Sequence, residues 1–220
     1  GNGYLTSLIA ENNKNASVFG IDNSKNMVEH AQQTYQHHNL TFLQLDAQSM
    51  SFDSQFDLAV SFSTLHWIQD QESVFQGVHQ ALKPDGIFRG FLYPKCDIQC
   101  NSLKQITTSS KYHTYFPAFT EPFYGYTDHY YQILLTSLGF KIQKIELTPT
   151  EYVKYSSKAE LAEFLGGWLP HAKHLPENMQ KEFLLDFVDT YTHNINRSID
   201  RCNAVVVPFR KIEIDIQKIL

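Results

Sequence analysis

Short apolar runs separated by polar stretches dominate the first half of the chain. Ser17–Ile21, Leu40–Leu45, Phe56–Phe62 and Ile87–Tyr93 are each rich in apolar and β-branched residues, which predicts four strands. The run Phe56–Phe62 is apolar almost throughout, and it therefore predicts a strand buried in a parallel sheet.

Helical patterns fill the spaces between these runs. Tyr4–Ala10 predicts a first helix, and Ser24 begins a second, whose expected apolar stripe consists of Met27, Val28 and Ala31. Glu72–Leu82 predicts a third helix, which the turn residues Lys83-Pro84-Asp85-Gly86 end. Alternating strands and helices with short connections predict an α/β fold: a doubly wound, mostly parallel sheet covered by helices on both faces.

The second half has a different pattern. Residues 94–138 carry many aromatic side chains and end in a helix predicted at Asp128–Leu138, and we expect them to form a lid over a ligand site. Residues 139–220 predict C-terminal strands with a helical insertion. The predicted strands are Phe140–Tyr155, with a bend or an edge at Pro149, and Ala204–Ile216; the predicted helices are Lys158–Phe164 and Pro176–Tyr191.

Composition indicates a single domain, 1–220. The 220 residues are 42% hydrophobic, enough for a full core, and the formal net charge of −5 argues against a nucleic-acid partner. No apolar stretch approaches the length of a membrane span. The odd number of cysteines (Cys96, Cys100 and Cys202) and the dispersed histidines indicate a reducing, cytoplasmic setting and no metal site.

The N-terminal segment has the strongest single pattern. Gly1-Asn2-Gly3 precedes Asp22 by about twenty residues, the spacing expected when a glycine loop and an acidic residue share one adenosyl ligand. Thr6 replaces the third glycine of the dinucleotide fingerprint, which favours a ligand without a pyrophosphate and argues against a nicotinamide oxidoreductase. For the glycines alone, a plain helix-capping turn is the alternative.

Polar residues also follow the predicted strands. Asp22, Asp46 and the segment Ser61–Trp67 all fall at carboxyl ends of strands. Ligands of open parallel sheets bind beyond those ends. The pattern therefore predicts one ligand site along this edge of the sheet.

Four motifs in order resemble the class I S-adenosylmethionine-dependent methyltransferases. They are Val18–Met27, Leu45-Asp46-Ala47, Phe56–Ser61 and Leu82–Phe88, and they cover the first ninety-odd residues, which makes 1–93 the expected cofactor-binding core. Within that superfamily, Ser63–Asp70 is similar to the trans-aconitate and juvenile hormone acid methyltransferase group. The resemblance implies a Rossmann-like fold whose last strand is antiparallel.

The same resemblance implies the cofactor, S-adenosylmethionine, and the product S-adenosylhomocysteine. It places Gly1, Gly3 and the Ser61 backbone at the methionine portion of the cofactor, and Asp22 at the ribose hydroxyls. It places Asn23 and Met27 beside the adenine, Asp46 at the adenine amine and the Ala47 N–H at the adenine ring.

The substrate side is expected just past the fourth motif, at His66 and Trp67. His66 either contacts the substrate or makes a structural hydrogen bond. Trp67 either contacts the substrate or wedges the next helix against the sheet. From the lid and the insertion we expect Tyr124, Tyr126 and Trp168 at the substrate, with packing as the alternative for each ring.

The expected reaction is methyl transfer to a small molecule. A carboxylate is ionised at neutral pH and needs no base, whereas a phenol or an amine would need one, with His66 as the candidate. This favours a carboxylate oxygen of an organic acid, giving a methyl ester. Methylation of a phenol or amine, and a noncatalytic domain that binds a partner, are the alternatives; the sequence leaves the oligomeric state open.

One element of this fold is expected outside the chain. The glycine loop stands at residue 1, so the central strand that would lead into it is missing from the sequence. We expect the strands at 17–21 and 56–62 to face each other across a gap, and the functional protein to extend upstream.

Overall fold

The computed structural model describes residues 1–195 and 204–219, so Cys202 lies outside the described residues. The first half alternates strands and helices as predicted. Its elements are α1 (Tyr4–Asn12), β1 (Val18–Asp22), α2 (Lys25–Thr34), β2 (Leu40–Gln44), β3 (Phe56–Phe62), α3 (Gln71–Ala81) and β4 (Leu82–Leu92), with short 3₁₀ turns at Ala47–Ser49 and Leu65–Trp67.

The second half contains more elements than the sequence pattern predicts. They are α4 (Asp97–Thr107), a 3₁₀ turn at His113–Tyr115, α5 (Asp128–Ser137), β5 (Phe140–Leu147), β6 (Glu151–Tyr155), α6 (Lys158–Gly166), α7 (Pro170–His174), α8 (Glu177–Ile195), β7 (Val205–Phe209) and β8 (Ile212–Lys218). The lid therefore contains a regular helix, α4, that its weak periodicity does not reveal.

The two long strands expected at 140–155 and 204–216 are wrong, because each segment divides into two strands. β5 pairs with β8, whereas β6 pairs with β7 in a separate two-stranded sheet. At the division, the Thr148 N–H donates to the Lys211 carbonyl (2.9 Å) and the Lys211 N–H donates to the Thr148 hydroxyl (3.1 Å). Both chain segments thus bend together, one residue before Pro149, and the expected bend there is confirmed.

The sheets have the expected mixture of directions. β1 and β2 are parallel, and a four-stranded sheet has the order β3-β4-β8-β5. β3 and β4 are parallel, whereas β8 is antiparallel to both of its neighbours. The α/β, Rossmann-like fold with an antiparallel last strand is therefore confirmed.

Within the described residues, β1 and β3 are not paired with each other, and each has one strand partner. Only the rings of Phe19 and Phe56 meet there, with centroids 5.7 Å apart. Leu58 and Val60 are 52% and 40% exposed, so the prediction that β3 is buried is wrong. The physical reason is that Leu58 and Val60, two residues apart, share one face of β3, and the described residues leave that face uncovered at this point. The expected strand between β1 and β3 stays a prediction.

Helix α2 begins where the sequence indicates, with the Ser24 hydroxyl accepting a hydrogen bond from the Met27 N–H. Val28 and Ala31 are buried, but Met27 is 43% exposed and does not belong to the apolar stripe.

Two large apolar clusters hold the molecule together. One joins α3, α5 and the four-stranded sheet through residues such as Phe75, Phe88 and Tyr131. The other joins α4 of the lid to α6, α7 and α8 of the insertion through residues such as Tyr112 and Phe187. The lid and the insertion therefore share one core, and both reach the end of the sheet where β3 finishes.

Candidate functional site

The carboxyl ends of β1 and β2 bring Asp22 beside the N-terminal glycine loop. The Asp22 carboxylate forms an ion pair with the Gly1 amino group, and its other oxygen accepts a hydrogen bond from the Ser24 N–H at 2.8 Å. The Asp22 carbonyl also accepts from the Leu45 N–H at 3.0 Å, which ties the two strand ends together. The spacing that predicts a shared ligand therefore places Gly1 and Asp22 in contact.

The two glycines of the loop differ in whether protein packing requires a glycine at that position. Gly3 has φ +85°, and a Cβ there would lie 2.6 Å from the Ala31 Cβ and 2.9 Å from the Phe42 ring. Helix packing therefore requires Gly3. A Cβ at Gly1 would meet no protein atom within 4 Å. Protein packing therefore does not require glycine at residue 1, and close approach of the adenosyl cofactor to this backbone stays a prediction.

Asp46 follows β2 on the same edge of the sheet. Its carboxylate accepts a hydrogen bond from the Gln48 N–H at 2.9 Å and so caps the 3₁₀ turn that begins at Ala47. Asn23 follows Asp22, and its carbonyl accepts from the Gln44 side chain at 3.3 Å. The exposed Met27 lies one turn further, in α2. Binding of the adenine by these residues stays a prediction.

The end of β3 is shaped by its contact with β4. Ser61 pairs with Gly90, and a Cβ at Gly90 would lie 2.3 Å from the Ser61 carbonyl oxygen, so only glycine permits this approach. Ser63 then has φ +56°, and its hydroxyl donates to the Tyr93 hydroxyl at 3.1 Å. This turn lies in the predicted segment Ser61–Trp67, and it directs the chain from β3 toward His66 and Trp67.

His66 is buried, with an exposed fraction of 2%. Its Nδ1 accepts a hydrogen bond from the Tyr93 N–H at 3.3 Å, and its ring lies 5.0–5.1 Å from the rings of Trp67, Tyr93 and Phe123. Burial among these rings lowers the pKa of His66 to about 4. The imidazole is therefore neutral at physiological pH, with its proton on Nε2.

Trp67 lines a cavity of about 540 Å³ together with Trp168, whose ring centroid is 6.0 Å away. The remaining walls come from the lid and the insertion, namely Phe119, Gly167, Pro170, Lys173 and His174. This volume is in the ordinary range for small-molecule sites. The structure thus brings Trp67 and Trp168 together, although they are a hundred residues apart in the sequence.

The two lid tyrosines lie elsewhere and do not line this cavity. The Tyr124 N–H donates to the His66 carbonyl at 2.7 Å, so its backbone anchors the lid beside Trp67. The ring of Tyr126 lies on that of Tyr130, with centroids 4.2 Å apart, and packs against the core of the body. A substrate role for these two residues stays a prediction.

Sequence reasoning missed Phe119, Lys173 and His174 as cavity residues. Phe119 is one of many aromatic residues in the lid, and Lys173 and His174 lie in a short helix with no motif. Only the tertiary packing of lid and insertion identifies them. In the part of the chain that the structure describes, no His, Cys, Asp and Glu side chains form a group able to hold a metal ion, and no helix is long and apolar enough to cross a membrane.

Comparison with known proteins agrees with this geometry. Residues 1–89 match a family model described as a methyltransferase domain. A protein of Invertebrate iridescent virus 6, named provisionally as methyltransferase 235L, is 26% identical over 95% of this chain and 78% of its own length. The juvenile hormone acid O-methyltransferase of Bombyx mori is 26% identical over 84% of this chain and 68% of that enzyme.

The trans-aconitate 2-methyltransferase of Streptomyces coelicolor is 37% identical over 39% of this chain and 30% of its own length. Among solved structures, a Bacillus halodurans protein described provisionally as a methyltransferase has a TM-score of 0.68 at 13% identity, with 100% of this chain and 90% of that chain covered. Loganic acid methyltransferase with SAH (S-adenosylhomocysteine) has a TM-score of 0.66 at 9% identity, covering 92% of this chain and 73% of that one. These structures share the fold.

Proposed function

We propose that this chain, a class I S-adenosylmethionine-dependent methyltransferase, methylates a carboxylate oxygen of a small organic acid and forms a methyl ester. The cofactor supplies an activated methyl group on a sulfonium sulfur. Because its transfer leaves the bond electrons on sulfur, an ionised carboxylate can accept the methyl group with no proton transfer. The names of the relatives, which include acid O-methyltransferases, support the same class of acceptor.

The observation that carries the proposal is the state of His66. A phenol or an amine must lose a proton during methylation, and His66 is the base candidate that directly precedes Trp67 at the end of β3. Its Nδ1 is engaged by the Tyr93 N–H, and a conjugate acid with a pKa of about 4 belongs to a base too weak to remove a phenolic proton efficiently. An acceptor that is already ionised fits this site better.

We assign the cofactor to the edge formed by β1, β2 and β3. Asp22 would accept hydrogen bonds from the ribose hydroxyls. Gly1 and Gly3 would allow close approach of the methionine portion of the cofactor, and the Ser61 backbone would contact the methionine end. The adenine would lie among Asn23, Met27, Asp46 and Ala47. The positions of Asp22, Asp46 and Ser61 at or just after the ends of β1, β2 and β3 support the assignment.

We place the substrate in the cavity between Trp67 and Trp168. Trp67 follows β3, where the methyl group would emerge, and the aromatic walls would exclude water from the reacting atoms. His66 would hold Trp67 in position and could donate a hydrogen bond from Nε2.

The test is methyl transfer from cofactor labelled on the methyl group to a panel of small organic acids, with matched phenols and amines. We expect label in esters that alkali cleaves, and kcat/KM that is flat between pH 6 and pH 9. A phenol or amine methylated with a rate that rises with pH would contradict the carboxylate assignment. Calorimetry with S-adenosylhomocysteine tests the cofactor site itself, because a domain that binds only a protein partner would give no heat.

A further inference from the structure

Lys173 is a cation in the cavity that has no carboxylate partner in the part of the chain the structure describes. Lys173 is an exposed residue at the rim of the cavity, and its ammonium donates to the Gly167 carbonyl at 2.8 Å, which leaves two N–H donors for a ligand. The other lysines named in ion pairs, such as Lys111 and Lys158, each have an acidic partner.

The rest of the cavity is aromatic and basic, and none of its lining residues is acidic. The His174 ring lies 4.9 Å from that of Phe119, and its Nε2 is 2.9 Å from the Tyr115 carbonyl oxygen. His171, on the same helix, is buried with an unpartnered Nδ1, and burial lowers its pKa to about 4, so it is neutral at physiological pH. Lys173 therefore supplies the permanent positive charge.

The position of this charge matters because the cavity has two sides. Trp67 belongs to the end of β3, where the reacting carboxylate must lie under the proposed function. Lys173 belongs to α7 of the insertion, and its ammonium lies against the carbonyl of Gly167, the residue before Trp168. An ammonium on that side is placed to bind a second anionic group while the reacting carboxylate remains free as the nucleophile.

We propose that Lys173 determines specificity, by selecting acids that carry a second carboxylate away from the one that is methylated. This inference rests on the proposed function, since it assigns the reacting carboxylate to the Trp67 side. It predicts that the enzyme prefers a dicarboxylic acid to the monocarboxylic acid of the same chain length.

The experiment compares kcat/KM for α,ω-dicarboxylic acids of increasing length with that for matched monocarboxylic acids, in the wild type, Lys173→Gln and the exposed control Lys181→Gln. We expect one chain length to be preferred as the diacid, and Lys173→Gln to lower that preference roughly tenfold, as expected for a lost hydrogen bond to a charged group. Lys181→Gln should change nothing. An unchanged diacid preference in Lys173→Gln would overturn the inference but leave the proposed function intact, whereas no methylation of any acid would refute the proposed function.

A binding measurement gives a second readout. Trp67 and Trp168 are the two tryptophans of the chain and both line the cavity, so intrinsic fluorescence reports its occupation. The preferred diacid should change the emission at a lower concentration than the matched monoacid in the wild type, and at about the same concentration in Lys173→Gln. Equal concentrations in the wild type would count against the inference.

A separate observation concerns Gln71, which is 1% exposed at the start of α3. Its side-chain amide donates to the carbonyls of Leu65, Ile68 and Tyr124 at 2.8, 3.2 and 2.9 Å. Its Oε1 accepts from the Tyr131 hydroxyl at 2.6 Å. One buried amide thus joins both ends of the turn that carries His66 and Trp67 to the lid and to α5.

We infer that Gln71 is a positioning residue that fixes the Trp67 wall of the cavity. It contacts neither the cavity nor the expected cofactor site, so its effect must pass through the turn at Leu65–Trp67. Loss of its hydrogen bonds should therefore affect the substrate step and leave cofactor binding unchanged.

Gln71→Met, which keeps the length and removes the hydrogen bonds, and Tyr131→Phe, which removes one of them, test this inference, with exposed Tyr152→Phe as the control. In a Trp168→Phe background, emission reports Trp67 alone. We expect Gln71→Met and Tyr131→Phe to shift the Trp67 emission in that background. In the otherwise wild-type protein they should lower kcat/KM about tenfold and leave the Kd for S-adenosylhomocysteine unchanged. A lower Tm with normal kcat/KM and normal emission would show a merely structural role, and Tyr131→Phe keeps the test valid if Gln71→Met fails to fold.

Discussion

The Nδ1 atom of His66 accepts a hydrogen bond from the backbone N–H of Tyr93, which joins the turn after β3 to the segment after the paired strand β4. This contact fixes the tautomer of a buried imidazole and at the same time ties the Trp67 turn to the neighbouring strand. One side chain therefore connects the chemistry proposed for the site to the stability of the fold, and both can be measured.

The first prediction concerns stability at acidic pH. Burial lowers the pKa values of His66 and His171 from 6.5 to about 4, so the unfolded state binds more protons than the folded state between these values. Stability should be fully present above pH 6.5 and should fall as the pH decreases toward 4, by on the order of 3 kcal/mol for each histidine. Urea unfolding from pH 4 to pH 8 measures this slope.

His66→Asn isolates the contribution of one residue. The Asn carbonyl can still accept from the Tyr93 N–H but does not titrate, so the slope between pH 4 and pH 6.5 should decrease by about half. His30→Asn, at an exposed histidine, is the matched control. An identical slope in His66→Asn and the wild type would mean that His66 is protonated without cost in the folded protein.

The second prediction tests the ribose contact proposed for Asp22. Asp22→Asn keeps an oxygen that can accept from the Ser24 N–H but loses the charge, so the Kd for S-adenosylhomocysteine should rise roughly tenfold or more. Calorimetry measures this change. The exposed Asp53 provides the matched control, and an effect of Asp53→Asn as large as that of Asp22→Asn would point to general electrostatics instead of a ribose contact.

The third prediction separates the two glycines of the loop. Gly3→Ala forces a Cβ into contact with Ala31 and Phe42 at a positive φ, and should cost about 2–4 kcal/mol of stability. Gly1→Ala meets no protein atom and should leave the Tm unchanged while weakening cofactor binding. Thermal unfolding and calorimetry on both variants check the pair, and a stable Gly3→Ala protein would refute the packing argument.

The fourth prediction concerns the attachment of the lid. The Tyr112 hydroxyl donates to the Asp186 carboxylate of α8 at 2.8 Å, and the ring is 1% exposed. Tyr112→Phe should lower the free energy of unfolding by about 1 kcal/mol, because a partly buried hydrogen bond to a charged group is lost. Tyr115→Phe, at a more exposed ring, should change it little. Equal effects of the two variants on denaturant unfolding would contradict this role.

The first half of the fold could be predicted because its signals are local. Ser24, Asp46 and the strand at 56–62 lie where turn chemistry and periodicity place them, and parallel strands necessarily align their carboxyl ends. Burial was less predictable. The apolar side chains of Leu58 and Val60 remain exposed because burial depends on which elements cover a strand, and composition does not specify that.

The segments at 140–155 and 204–216 show the limit of periodicity. Each has enough β-forming residues for one long strand, and the division in each segment depends on the hydrogen bonds that join Thr148 to Lys211, sixty-three residues apart. Pairing of distant residues decides strand ends there, and no local pattern encodes it.

The sequence by itself predicted the α/β order of elements and the motifs at strand ends, and the resemblance that those motifs carry implied the cofactor and methyl transfer. These follow from chemistry that a few adjacent residues carry. Only the tertiary structure showed that His66 is a neutral, hydrogen-bonded imidazole, that Trp67 and Trp168 face one cavity, and that Lys173 stands in its wall. Burial, tautomer and cavity shape arise from contacts between the lid, the insertion and the sheet, and those contacts exist only once the chain has folded.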